Sequence, residues 1–586
     1  MSGGRLAKTD EGADVVAVEG SSRVSRLARR ARGGRVSPVL LAFVALVLVY
    51  GVVYPNLSVV ATSLQRGGAW TLANYADFFT RRVALEATAA SLGLSLLTVL
   101  LCAGIGVPLA FLFERYEFPG SKIFAALAAL PLVLPPLVGT VAFLFLFGES
   151  GVLARAAQHI FGLERPPWNF TGWPALLIFH AYTMYPFFYV FTGAGLRRLD
   201  AGLAEAARSL GASRRAVLAR VVLPQLTPSL LAAALLTFMT SMGSFSAPLF
   251  FGGDVRVLTL EIFNARQRGD VADSVAQTVV LAAISLGALL LFQRYEGTRR
   301  FVAAAMKGAT KRRAPLRRGA ARTFAALAGV LVTAALLLPV VTLVVVSFAR
   351  DGVWTTQTLP PEYTLDNYAR IFTGGGEAEA LRNSVVMSAL AAGAALVWSL
   401  CVAALVARGR GRWRRAVSLL ILVPWALPGT VVAVSIAEAY GRPNPLTGTF
   451  ILVGTFWILP AVYFLRFMPL VVRSVQASIE QLDPALEEAA AGLGARPWQR
   501  LWRVRLPLII PGAAAGTLLA FVIALGEYVA SVLVYVPRNR PASMAIAAAM
   551  RDYNLGTASA LGVVLVLAIG FSMIAVSSLE RRQGQS

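Results

Sequence analysis

Two stretches decide how this chain is read: LDAGLAEAARSLGASRRAVLARVVLPQLTPSL at 199–230 and LDPALEEAAAGLGARPWQRLWRVRLPLIIPGA at 482–513. Fifteen of their 32 positions are identical without a gap, at a constant offset of 283. A second pair, TLANYADFFT from Thr71 and TLDNYARIFT from Thr364, shares seven of ten residues at an offset of 293. Prolines keep the same register, Pro131 and Pro135 answering Pro424 and Pro428. The matches occur in the same order twice, so the chain is a tandem duplication, and self-similarity of this kind dictates the architecture before any single motif does.

The composition says where such a chain lives. Of 586 residues, 57% are hydrophobic and only 14% are charged, too little polar surface to cover a soluble fold of that size. Apolar runs long enough to cross a bilayer as helices recur throughout. Six fall near 37–61, 88–113, 123–147, 173–196, 226–251 and 275–293, and six near 322–348, 384–407, 416–440, 449–472, 509–536 and 557–579. The expected fold is therefore an all-α integral membrane protein of about twelve transmembrane helices, in two tandem six-helix domains. Residues 1–35 read as an Arg-rich cytoplasmic tail, 36–298 as the first domain, 299–321 as a basic cytoplasmic linker and 322–586 as the second domain.

Charge sets the orientation. The net charge of +24 comes from 54 basic and 30 acidic residues. Arg23, Arg26, Arg29, Arg30, Arg32 and Arg35 precede the first span, which is too long, and lacks the small-residue site, for a cleaved signal. With that tail inside, about 37 Arg and Lys fall in cytoplasmic loops against about 15 outside, the positive-inside bias. Both termini are expected in the cytoplasm. The basic excess then calls for anionic membrane lipid as a partner and for no nucleic acid.

Several chemistries lack their residues. The two cysteines, Cys102 and Cys401, and the two histidines, His159 and His180, supply no zinc spacing, redox pair or disulfide framework. No lysine follows a glycine, so a phosphate-cradling Gly-Lys-Ser/Thr loop is absent from the sequence. Neither a catalytic residue nor a metal ligand nor a cofactor held by this chain is expected.

The duplicated stretch lies in the cytoplasmic loop between the fourth and fifth spans of each half. Asp483 before Pro484 reads as a helix N-cap, with Asp200 at the matching place. Gly211 and Gly494 read as left-handed helix ends. A second helix, capped by Ser213 in the first copy, is expected to run to Leu223-Pro224 and Leu506-Pro507.

In each copy Glu-Ala-Ala is followed by three residues, Gly, nine residues, an aliphatic residue, one residue and Leu-Pro. The residues are Glu205, Ala206, Ala207, Gly211, Val221, Leu223 and Pro224, then Glu488, Ala489, Ala490, Gly494, Val504, Leu506 and Pro507. This pattern resembles the signature loop of binding-protein-dependent ABC importer permeases. The resemblance covers nearly everything after residue 36, and the fusion with SFSAPLFFGG from Ser244 looks most like ferric-iron permeases. It implies the type I importer fold in a bacterial inner membrane, with each loop a coupling helix docking on a separate ABC ATPase dimer. That partner would use ATP and Mg2+. Cargo would arrive on a periplasmic or lipid-anchored substrate-binding protein. Thiamine, aminoethylphosphonate and polyamine permeases are related alternatives, and a twelve-span secondary transporter is the alternative from another class.

Intramembrane polar residues are the candidates for the cargo path. Glu527 in the eleventh span and Ser244 at the equivalent position of the fifth are expected near the axis, with Ser246 and Ser531. A carboxylate there would favour cationic cargo, and Glu527 held by a neighbouring helix or backbone is the alternative. His180 reads as a hydrogen-bonded structural histidine and Arg466 as an arginine snorkelling to the inner surface. The prolines read as kinks. Asp254, Glu261, Asp270 and Asp273 form an acidic outer loop, either solvated or facing a basic binding protein.

Overall fold

The computed structural model describes residues 38–199, 201–303, 314–316, 319–354, 357–373, 375–408 and 412–583. The N-terminal tail, Asp200 and most of the linker lie outside these. Among the described residues, eleven helices are long and apolar enough to cross a membrane, and twelve when one bent pair is taken as a single span. In the first half they are Pro38–Ser63, Arg82–Arg115, Pro136–Phe161, Gly172–Arg198, Arg214–Met242 and Val271–Arg294. The second half has Gly319–Ser347, Gly376–Leu405, the pair Trp413–Ala426 with Gly429–Tyr440, Ile458–Glu480, Trp498–Leu525 and Leu555–Ala575.

Each half is built on the same three helices. The second, fourth and fifth spans pack mutually, and so do the eighth, tenth and eleventh. The first span of each half instead reaches across to the other: Pro38–Ser63 lies against Gly429–Tyr440, and Gly319–Ser347 against Pro136–Phe147. Tyr440 donates to the Tyr50 carbonyl at 2.6 Å and Tyr182 to the Leu336 carbonyl at 2.8 Å, so each crossing arm is hydrogen-bonded to the opposite half. These arms fasten the two halves to each other, and buried clusters that mix residues of both halves continue the contact.

The Asn-Tyr repeat acquires a physical role. Asn74 Nδ2 donates to the carbonyls of Ser63 and Gln65, and Asn367 Nδ2 to those of Ser347 and Ala349. Tyr75 shares a 2.6 Å hydrogen bond with Ser63, as Tyr368 does with Ser347. A helix end leaves carbonyls without intrahelical partners. The Asn amide takes over carbonyls at the C-terminal end of the first span of each half and ties a short helix, Ala73–Thr80 or Asp366–Thr373, across it.

Two expected spans are not continuous helices. The third breaks at Leu134 and Pro135, whose ψ values of 119° and 139° are extended, between Leu130–Val133 and Pro136–Phe147. The ninth breaks at Pro428, ψ 149°, and its two parts are bent by 108°. Proline lacks the N–H that would continue the ladder and pushes the preceding residue out of the helical region. The fifth and eleventh spans likewise end at Gly243 and Gly526, and the expected stretches beyond them form the short helices Ser246–Phe251 and Ser531–Val534.

Candidate functional site: the docking loops and the axis

At one end of the bundle, the loop after each fourth span folds as the capped turns in its sequence require. Asp483 accepts from the Ala485 N–H at 2.9 Å and opens Pro484–Gly492. Asp200 lies outside the described residues, and its helix runs Ala201–Ser209. Gly211 and Gly494 have φ of +83° and +79°. The following N–H groups reach back, Ala212 to the Ala207 carbonyl and Ala495 to that of Ala490, both at 3.0 Å. This is the six-to-one closure of a Schellman end, which glycine alone adopts without strain. Ser213 caps the next helix by accepting from the Ala216 N–H.

That next helix does not end at Leu-Pro. It continues through a π-turn, Leu218–Val222 or Leu501–Arg505, straight into the fifth or eleventh span. The wider turn passes the missing N–H of Pro224 or Pro507 without ending the helix, since one residue is inserted into the ladder where the ring would clash. The loop is thus a rigid extension of a span at the axis, and a push on it is transmitted along that span.

The motif residues divide between packing and surface. Ala207 packs with Val217, Val222 and Leu226, while Glu205, Ala206, Glu488 and Ala489 are exposed. Ala490, Leu506 and Val504 are half-buried, and Leu223, Pro224 and Pro507 lie at the surface. Leu210 and Leu493, just before the turn glycines, are 88% and 90% exposed, more than any other large apolar side chain described. Two equivalent leucines held out by a tight turn are binding knobs without an intramolecular socket. The repeat contains this signal, but in an apolar chain only the exposure singles out two leucines.

The breaks in the spans meet at a pseudo-two-fold axis. A Cβ on Gly243 would lie 3.5 Å from Pro428 of the second half, and one on Gly526 only 2.8 Å from Pro135 of the first. Phe245 and Tyr528, equivalent positions, touch ring to ring across the axis at 5.9 Å. Both are buried. Glycine at 526 is what lets the halves close to this distance, whereas a Cβ at 243 would only reach van der Waals contact with Pro428.

Around that contact the four path candidates are placed as follows. Ser244 bonds His180 Nε2 at 2.9 Å, and His180 Nδ1 is within 3.2 Å of both Thr98 and Ser241. Ser246 accepts from Thr140 at 3.2 Å. Ser531 shares a 2.7 Å bond with Tyr463, which stands where His180 stands in the first half. Glu527 receives Arg466 Nη1 at 3.0 Å and the Ala530 N–H at 2.9 Å, and its carbonyl accepts from Ser531 and Ser543. The candidates thus gather at the ends of the fifth and eleventh spans, each engaged by a neighbouring element.

Two sequence expectations are overturned here. Arg466 does not snorkel: its helix, Ile458–Glu480, begins nine residues later than the apolar run, which puts Arg466 in its middle, paired with Glu527. The run 449–457 is loop, following the Asn444 turn and interrupted by Gly454 at φ +85°. The acidic loop keeps Asp254 and Asp270 at the surface but loses the other two, because Asp273 is buried against Arg81 at 2.8 Å and Glu261 is also buried. Among the described residues no three His, Cys, Asp or Glu come together as metal ligands.

A duplicated helical membrane protein with a matched loop in each half and an axis closed between the halves is the arrangement expected of a transport permease. The chain belongs to the family of binding-protein-dependent transport system inner membrane components, whose model matches residues 106–296 and 396–585. It is the permease of a binding-protein-dependent ABC importer, and the family carries no ATPase domain, which leaves ATP hydrolysis and cargo capture to other subunits. It is 32% identical over 532 residues to the Probable ABC transporter permease protein y4fN of Sinorhizobium fredii, covering 89% of this chain and 92% of that one. It is 25% identical to the ferric transport system permease protein FbpB of Actinobacillus pleuropneumoniae, over 90% of this chain and 76% of that one. A sulfate transport system permease protein, CysT of Salmonella typhimurium, is 34% identical over 32% of this chain and 66% of its own length.

Proposed function

We propose that this permease carries ferric iron inward, with its two Glu-Ala-Ala loops docked on an ABC ATPase dimer at the cytoplasmic face and both termini on that side. The observation that carries the docking is the matched pair of rigid loops, each presenting an exposed leucine beside a left-handed glycine. The cargo assignment is supported by likeness along the full fused chain to a ferric transport permease. A binding protein, periplasmic or lipid-anchored, presents iron to the opposite face.

Closing the ATPase dimer around ATP draws the two loops together. Because each loop is continuous with the fifth or eleventh span, the halves rock about the axis. The Gly243–Pro428 and Gly526–Pro135 contacts part, and cargo passes Ser244, Ser246, Glu527 and Ser531. The coupling is reciprocal: loaded binding protein and ATP must favour the same state. The test is uptake of 55Fe into proteoliposomes holding this chain, its ATPase and its binding protein. ATP-dependent uptake is expected. Uptake driven by an ion gradient without the ATPase would refute the importer reading, and ATP-dependent uptake of another cargo but not iron would refute the cargo.

A further inference from the structure

The repeat exposes an asymmetry at the axis. Where the first half has Thr183 and Ser244, the second has Arg466 and Glu527 at the same offset. One half therefore brings an ion pair to the centre and the other brings hydroxyls.

Within that pair the two charges are not equally accessible. The Glu527 side chain is 6% exposed and that of Arg466 23%. One face of the guanidinium lies over the Phe467 ring at 5.6 Å, and because an arginine exposed to hydrocarbon at mid-span is costly, the part of the side chain that stays open is read as facing the path. Its position agrees. Arg466 lies against the bare Cα of Gly429, where a Cβ would fall inside the guanidinium, and reaches Glu527. Gly429 follows Pro428 and Glu527 follows Gly526, two residues of the second half that approach the first at the axis. A guanidinium has five N–H donors, and the bond to Glu527 is made by Nη1.

The surroundings add donors. Gly429–Tyr440 is a twelve-residue helix whose N-terminal residue, Pro428, supplies no side-chain cap. Its first-turn N–H groups and the positive end of its dipole remain there. Thr430, in that turn, is fully buried and its hydroxyl has no partner among the described residues. In the first half the matching positions are Pro136, which has no N–H, and Leu137.

We propose that Arg466, the N-terminal turn of Gly429–Tyr440 and Thr430 form a contact point on the cargo path for anionic oxygens. Glu527 positions the guanidinium and does not itself meet a cation. The inference rests on the importer reading and refines its cargo: what passes carries anionic oxygen, either the carboxylates of a ferric chelate or an inorganic oxyanion.

The experiment uses the reconstituted complex with 55Fe as ferric citrate and, separately, 35S-sulfate. Arg466→Gln strands a buried carboxylate, so the decisive variant is Arg466→Gln with Glu527→Gln, in which no charge is left unpaired. Maximal uptake by the double variant is expected to fall about 10- to 100-fold, the worth of a charged hydrogen bond. Thr430→Val, nearly isosteric, is expected to lower it about 2- to 10-fold. Wild-type uptake by the double variant would show a merely structural pair and overturn the proposal, and so would unchanged uptake by Thr430→Val if the double variant fails to assemble. Dependence on these residues for sulfate but not iron would refute the ferric reading and leave this one standing. Dependence for iron would support both.

Discussion

Replacing both turn glycines of the docking loops by valine is the most direct probe of how this permease meets its ATPase. Gly211 and Gly494 sit at φ +83° and +79°, and a Cβ at either would meet nothing within 4 Å. Adding a side chain therefore creates no clash in the free permease, and the whole effect is conformational. A left-handed residue with a Cβ costs about 1–2 kcal/mol. Since nothing packs over the turn, the substituted loop relaxes in the free protein, and that cost falls due only when docking demands the tight turn that holds out Leu210 or Leu493. Each valine should then weaken ATPase association about 5- to 30-fold, and the pair on the order of 100-fold if the distant loops add. Asparagine tolerates the left-handed region and should lose far less. The assay is titration of the purified ATPase onto detergent-solubilised permease, with thermal unfolding of the permease as the control. Equal ATPase affinity for the double valine variant would refute the reasoning, as would asparagine proving as harmful as valine.

Further outcomes follow from the same geometry. Asn74→Ala and Asn367→Ala each strip two carbonyls of their donor and should destabilise the permease by about 1–3 kcal/mol, read by thermal unfolding, with transport by the surviving fraction unchanged. His180→Leu leaves Thr98, Ser241 and Ser244 without the ring that joins them and should cost about 1–3 kcal/mol, whereas His180→Gln should cost less. Gly526→Val drives a side chain against Pro135 and should hold the halves apart. Basal ATP hydrolysis should then rise in the absence of binding protein, and an unchanged basal rate would count against the axis contact as a gate.

The legibility of the sequence varied with the range of the forces involved. The docking loops were almost wholly readable, because Asp483, Ser213, Gly211 and Gly494 act through bonds within a few residues of themselves. Span number and duplication were readable too, since the bilayer imposes a length and a hydrophobicity on every crossing. Span boundaries near prolines were less so, because the outcome at Pro135 or Pro428 depends on which neighbours satisfy the broken ladder. The continuity of Leu223–Met242 with the loop was missed, as a π-turn leaves no mark in a propensity pattern.

Contacts between residues far apart in the chain were decided elsewhere. The sequence placed Glu527 near the axis but left its partner open, and it assigned Arg466 to the inner surface. Only the fold, by starting the tenth span at Ile458 and laying Gly429 beneath the guanidinium, brings the two charges to 3.0 Å. The crossing arms are of the same kind: nothing in Pro38–Ser63 announces that it packs on Gly429–Tyr440 of the other half. By itself, then, the sequence determined a duplicated, membrane-spanning permease with two docking loops, because hydrophobic length, caps and turns are local properties. Which charge faces the path, and how closely the halves meet at Gly243 and Gly526, was settled by tertiary structure, because those depend on atoms that only packing brings together.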